Sequence, residues 1–199
     1  MNQYIQKILA EDESILWTGR PQTTKLFDED TKKHSILRII VSAAVGLALL
    51  GGYFAMCANS GTELKPMIPV VIFVCSFFAI SGIFTSFRAL NKTTYYITNK
   101  NVILVRGSDK HFSLPLSMVD DTKVIRGDNG LDSLCIGSFA CKTPKHKLRY
   151  AGIECRRKEL KDSSFVYYPV FYNISDAKNV EQQLIKAVAD EKSIGNAVS

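Results

Sequence analysis

Hydrophobic and polar positions divide this chain into stretches of different period. ILRIIVSAAVGLALLGGYFAMCA, from Ile36 to Ala58, is apolar all round, and so is PMIPVVIFVCSFFAISGIFTSF, from Pro66 to Phe87. A helix rises about 1.5 Å per residue and a hydrocarbon core is about 30 Å thick, so about 20 residues cross it. Both runs are long enough. Pro66 and Pro69 stand at the start of the second run, where a proline costs a helix little. Between Ile39 and Phe87 the only charged residues are Glu63 and Lys65. A chain of 199 residues could hardly cover two such helices on all sides in a soluble core. The link from Asn59 to Lys65 is short, so residues 36–88 are expected to form an antiparallel transmembrane hairpin with helices 36–58 and 66–88. Ser42 with Gly46, and Ala48 with Gly52, are small residues four apart, a spacing that lets helix backbones approach closely. Packing within the hairpin is favoured over a dimer face.

After Arg88 the period becomes two. Tyr95-Tyr96-Ile97-Thr98 and Val102-Ile103-Leu104-Val105 read as strands around an Asn99-Lys100-Asn101 turn. Further strands are expected over 110–115, 122–126, 133–139, 147–154 and 165–172, punctuated by Gly, Asp, Asn and Ser clusters. The period then turns helical. In ISDAKNVEQQLIKAVADEKS, residues Ala177, Val180, Leu184 and Ala187 or Val188 share one face. Ser175 suits the N-cap and Asp176 the positive end of the helix dipole. The expected fold is therefore α+β: a helix hairpin, then a small antiparallel barrel over 89–192 capped by a C-terminal helix. Residues 1–35 form an N-terminal segment, with a short amphipathic helix around Tyr4, Ile5, Ile8 and Leu9, and 193–199 form a tail.

Charge sharpens this division. Residues 1–35 carry five Lys/Arg against six Asp/Glu, whereas residues 91–199 carry seventeen against twelve. The basic excess of the C-terminal part suggests an anionic partner, lipid headgroups or nucleic acid. Lys25, Lys32, Lys33 and Arg38 flank the first apolar run on its N-terminal side. Arg88 and Lys92 follow the second, and the loop between has only Lys65. The Lys/Arg bias places both termini in the cytoplasm, in a multi-pass protein of the inner or plasma membrane. Tyr53, Phe54, Phe84 and Phe87 are candidate interfacial anchors. The opening MNQYIQKILAEDE is polar and shows no cleavable leader pattern, so the apolar runs are expected to be retained. Five cysteines are too few for a disulfide scaffold and fit a reducing compartment.

The order of elements resembles a pleckstrin-homology domain, specifically the membrane-bound members of the bacterial PH-like family with two transmembrane helices before the domain. The residues that carry the resemblance are YYITNKNVILVRG, SLPLSMVDDTKVIRGDNGL and FYNISDAKNVEQQLIKAV, with the Trp-x-Gly-Arg-Pro element of EDESILWTGRPQ ahead of the helix pair. The stretch from Cys141 to Lys161 departs from the pattern as an enlarged, basic strand-loop-strand. The resemblance implies a PH-like fold and a membrane setting, but no activity.

Candidate sites are few. The densest charge lies in KTPKHKLRYAGIECRRKELK, where Lys142, Lys145, Lys147, Arg149, Arg156, Arg157, Lys158 and Lys161 face only two acids. Basic residues near an anionic leaflet contribute about 1 kcal/mol each, so this run could orient a tethered domain on anionic lipid or bind a protein partner. An ordinary solvated face is the competing reading. Phosphoinositide-reading PH domains commonly place basic residues around the first strand-strand loop, and here that loop holds only Lys100, with Arg106 further along. Trp17 and Arg20 are candidate interfacial residues, with packing against the barrel as the alternative. Cys135, Cys141, His146 and Cys155 match no common zinc spacing, and no metal or cofactor is expected. No nucleophile elbow, phosphate-cradling glycine loop or HExxH occurs, and Asp120-Asp121 would point to opposite faces of a strand. The expected function is non-catalytic: a membrane protein that presents its domain for protein or anionic-lipid contact, with a homo-oligomer open. The alternative is an accessory subunit of a membrane enzyme or transporter. Nucleic acid is not expected, for want of clustered aromatics.

Overall fold

The computed structural model of the chain describes residues 3–22, 29–107, 110–127, 131–144, 147, 154–159 and 165–198. These fall into two compact units. One is Leu26–Thr85, and the other joins Met1–Lys25 to Ser86–Ser199.

The first unit contains helix α2, Glu29–Ser60, and most of helix α3, Met67–Asn91. Both are longer than their apolar runs, because charged residues extend the helices past the uncharged stretch at one end. At 32 and 25 residues they measure about 48 and 38 Å. Both are long and apolar enough to cross a membrane, and within each apolar window only 6% of residues are buried. Leu47, Phe73, Phe77 and Phe78 are each more than three-fifths exposed. That is the reverse of a soluble core helix. The helices approach antiparallel. A Cβ on Gly46 would lie 2.6 Å from Ser76 Oγ, and one on Gly82 would lie 3.3 Å from the Arg38 guanidinium. The Ser42/Gly46 spacing is thus used within the hairpin, whereas a Cβ on Gly52 would meet nothing within 4 Å. At the far end the Tyr53 hydroxyl accepts from the Lys65 N–H at 2.8 Å.

The second unit opens with helix α1, Gln3–Ile8, and strand β1, Ile15–Gly19. After α3 it continues with β2, Thr93–Thr98; β3, Asn101–Arg106; and β4, Lys110–Pro115. These four strands form one antiparallel sheet in the order β1-β2-β3-β4. A short 3-10 turn, Leu116–Met118, leads to β5, Thr122–Ile125, and β6, Asp132–Ile136. Helix α4, Ser138–Lys142, precedes β7, Glu154–Glu159, and β8, Phe165–Ile174. The second sheet runs β5-β6-β8-β7. Helix α5, Ala177–Val198, ends the chain.

One core joins the sheets to α5. Tyr95, Ile97, Val102, Leu104 and Leu114 come from the first sheet, Leu134, Ile136 and Phe171 from the second, and Val180 and Leu184 from α5. The α5 face is the one its periodicity predicts: Ala177, Val180, Leu184 and Ala187 are buried, while Ile185 is exposed. The first sheet is covered on its other face too. Ile5 of α1 packs with Tyr96, Ile103 and Val105. Every residue of β2 is therefore buried, so the strand is covered on both faces rather than on one, as a period of two would suggest.

Some expectations are met only in part and others change. Among the described residues no ladder joins the two sheets, so a closed barrel is not found; the 3-10 turn at buried Leu116 lies between β4 and β5. The N-terminal segment is not a separate region, because β1 pairs antiparallel with β2, from Ile15↔Thr98 to Gly19↔Tyr95. Helix α3 runs past the expected end at residue 88 to Asn91, leaving only Lys92 before β2, and its last turn belongs to this unit, with Leu90 buried in the core. The strand expected over 133–139 stops at Ile136. Gly137, at φ +91°, turns the chain into α4, and a Cβ there would lie 1.8 Å from the Tyr168 ring. Of the strand expected over 147–154, only Glu154 appears in a strand, at the start of β7; residues 148–153 lie outside the described residues.

Candidate functional site

The Trp-x-Gly element is built for packing. Trp17 lies in β1, paired with Ile97, and its indole folds back over Gly19, where a Cβ would lie 2.3 Å from the ring. Only glycine leaves that space. The indole stacks on Phe171 at 5.5 Å between centroids, and Phe171 stacks on Tyr95 at 4.5 Å. The Tyr95 hydroxyl accepts from the Tyr172 N–H at 3.1 Å, and burial pushes its phenol well above the ordinary range. Of the two readings of Trp17, the structure shows the packing contact, on Phe171 of the second sheet. Arg20 is exposed and does not join that stack.

The acidic run before β1 clamps the β2–β3 turn. Glu13 accepts from Thr98 Oγ1, from Asn101 Nδ2 at 2.8 Å and from the Ala10 N–H at 3.3 Å. Ser14 N–H donates to Asn99 Oδ1 at 2.9 Å, and Asn99 N–H donates to Ser14 O at 3.1 Å. Lys100 forms an ion pair with Asp12. The hydrogen bond from Lys100 holds the Asp12 carboxyl below its usual range, and the same bond raises the Lys100 ammonium. The one basic side chain of this turn is thus engaged by an acid, and a phosphate would have to displace it.

The sign of the pH effect follows. A depressed carboxyl stabilises above its unfolded value, and that contribution is lost as pH falls through the folded one. A raised ammonium stabilises below its unfolded value and loses its effect as pH rises through the folded one. Because the pair is exposed, the effect is small and screened by salt. In Lys100→Gln the melting temperature at neutral pH should change little, and the stability lost between pH 5 and 3 should shrink. An acid limb identical to the parent's would discount the pair.

The basic run of 142–161 is only partly described. Lys142 ends α4 and is exposed, as is Lys147. Lys145, Arg149 and Lys161 lie outside the described residues. Arg156, Arg157 and Lys158 fall in β7, the edge strand of the second sheet among the described residues, with Arg156 opposite Tyr167 and Lys158 opposite Val166 across a register shift. Charges on an edge strand, together with a bulge, oppose unwanted pairing with another chain. That is a structural reason for part of the run beside any binding role.

Other candidates find structural roles. Asp120 accepts from Ser138 N–H at 2.9 Å and from Ser138 Oγ at 2.8 Å, so it caps α4. Asp121 accepts from the Thr122 N–H. Cys135 is buried, and desolvation pushes the Cys141 thiol up to about 11. His146 lies outside the described residues, as does the side chain of Cys155. Among the described residues, no group of three or more metal-ligating side chains occurs.

Sequence reasoning missed a groove of about 1000 Å³ on the second unit, open to solvent and lined by residues of the α1–β1 segment, Arg20, Thr94 and Tyr96. The signal that could have found it was the strand character of ILWTG, which alternates half-buried and exposed positions. No family model, curated protein or solved structure matches the chain.

Proposed function

We propose that this chain is a non-catalytic integral membrane protein that holds a PH-like α+β module at the cytoplasmic face of a cell membrane, for contact with anionic lipid or a protein partner. The observation that carries the reading is the dual character of α3. Its apolar length is exposed over Phe73, Phe77 and Phe78, while its last turn supplies Leu90 to the core of the folded unit. A helix that is lipid-compatible along its length and protein-packed at its end is a tether. The two sheets and α5, which share one core, support the PH-like reading. The Lys/Arg bias around the hairpin supports cytoplasmic termini.

Two measurements test it. The chain should stay with membranes through alkaline carbonate washing and be released by detergent. A reporter that works only in the cytoplasm should be active when fused after Ser199, and one that works only outside should be active when inserted near Gly61. Release by carbonate would overturn the membrane reading, and the opposite reporter pattern would overturn the orientation.

A further inference from the structure

We propose that the β1–β2 ladder makes folding of the second unit conditional on an even number of membrane crossings between the two strands, so that a chain with a misinserted helix cannot complete the unit. The inference rests on the membrane reading above and gives the hairpin a second role. β1 precedes both apolar helices and β2 follows them, more than seventy residues later. Yet the two strands pair antiparallel from Ile15↔Thr98 to Gly19↔Tyr95. Paired strands lie about 5 Å apart, far less than the roughly 30 Å of a hydrocarbon core. Their backbone polar groups also exclude them from that core. β1 and β2 therefore share one side of the bilayer. Two inserted helices permit that, and one does not.

The N-terminal segment contributes enough to make the condition strict. β1 supplies Trp17, which stacks on Phe171 at 5.5 Å. α1 supplies Ile5, fully buried against Tyr96, Ile103 and Val105. Glu13 accepts from Thr98 Oγ1 and Asn101 Nδ2 across the β2–β3 turn. From the far side of the bilayer none of these groups could reach the strands. One face of β2 and β3 would lose its apolar cover, and β2 would become an open sheet edge. Burial of three large apolar side chains is comparable with the whole net stability of a small domain. A misinserted chain therefore presents apolar surface and unpaired backbone, the features on which chaperones and proteases act.

The test changes only the number of crossings in the full chain. One apolar Leu/Ala segment of about 20 residues, inserted with polar flanks near Gly61 between α2 and α3, makes three. Two such segments joined by a short polar loop make four. Both variants leave the sequence of the second unit intact. Membranes carrying each chain are opened to trypsin from both sides. The two-segment variant should yield the same resistant fragments of the second unit as the parent. In the one-segment variant those fragments should disappear about tenfold faster, because digestion follows the population of the open form. Equal resistance in all three chains would overturn the proposal, since the unit would then fold without its N-terminal segment. Equal loss in both variants would also overturn it, since the unit would then respond to any insertion and not to the crossing number. Release of the parent by carbonate, measured separately, would instead strike the membrane reading itself.

Discussion

Replacing Trp17 by alanine is expected to destabilise the folded unit by about 2–4 kcal/mol. Truncating a buried aromatic costs about 3–5 kcal/mol, and Trp17 is only partly buried, which lowers the figure. The loss has two parts. The indole leaves a void between β1 and Phe171, and the stack that runs on to Tyr95 loses its outer member. For a chain of this size each kcal/mol moves the melting temperature by about 2–4 °C, so a drop of roughly 5–15 °C is expected in detergent. Gly19→Val gives a second readout. Its side chain cannot share space with the indole, and Trp17 is the chain's single tryptophan. Its emission should therefore shift to the red. A melting temperature within about 2 °C of the parent in Trp17→Ala, with unshifted emission in Gly19→Val, would mean that β1 is peripheral.

Leu184→Ala should be at least as damaging. Leu184 is fully buried, in the middle of the α5 face that closes both sheets. Leucine-to-alanine changes in such sites cost about 2–5 kcal/mol, depending on how far the surroundings collapse. Ile185 is the neighbouring control: it is 53% exposed, and its replacement by alanine should stay within about 0.5 kcal/mol. The comparison needs the whole chain. A fragment beginning at residue 90 would lack β1 and Trp17, and its core would already be open. Equal melting shifts for the two variants would refute the assigned helix face.

The hairpin and α5 were legible because each is a local pattern. Two uncharged runs of sufficient length announce two apolar helices, and a 3.6-residue period announces one buried face whatever it packs against. The β2–β3 turn was legible from Asn99-Lys100-Asn101. The strand β1 was not. ILWTG is only five residues long, sits next to a charged segment and meets its partner β2 across more than seventy residues of intervening chain that include both apolar helices. The role of Trp17 was hidden for the same reason, since an indole beside Arg20 and Pro21 suits an interface as well as a core. Glu13 gave no sign of clamping a turn some 85 residues away.

What the sequence by itself determined is therefore the division of the chain into apolar and charged stretches, the two apolar helices, the β2–β3 hairpin and the core face of α5, all set by residue type and short-range period. Tertiary structure alone decided that the N-terminal segment completes the first sheet, that Lys100 is engaged by Asp12 and that Arg20 borders a groove. These outcomes depend on long-range strand pairing and on which faces meet. Both are fixed by shape and by the burial of particular pairs such as Trp17 with Phe171, and neither leaves a local periodicity to read.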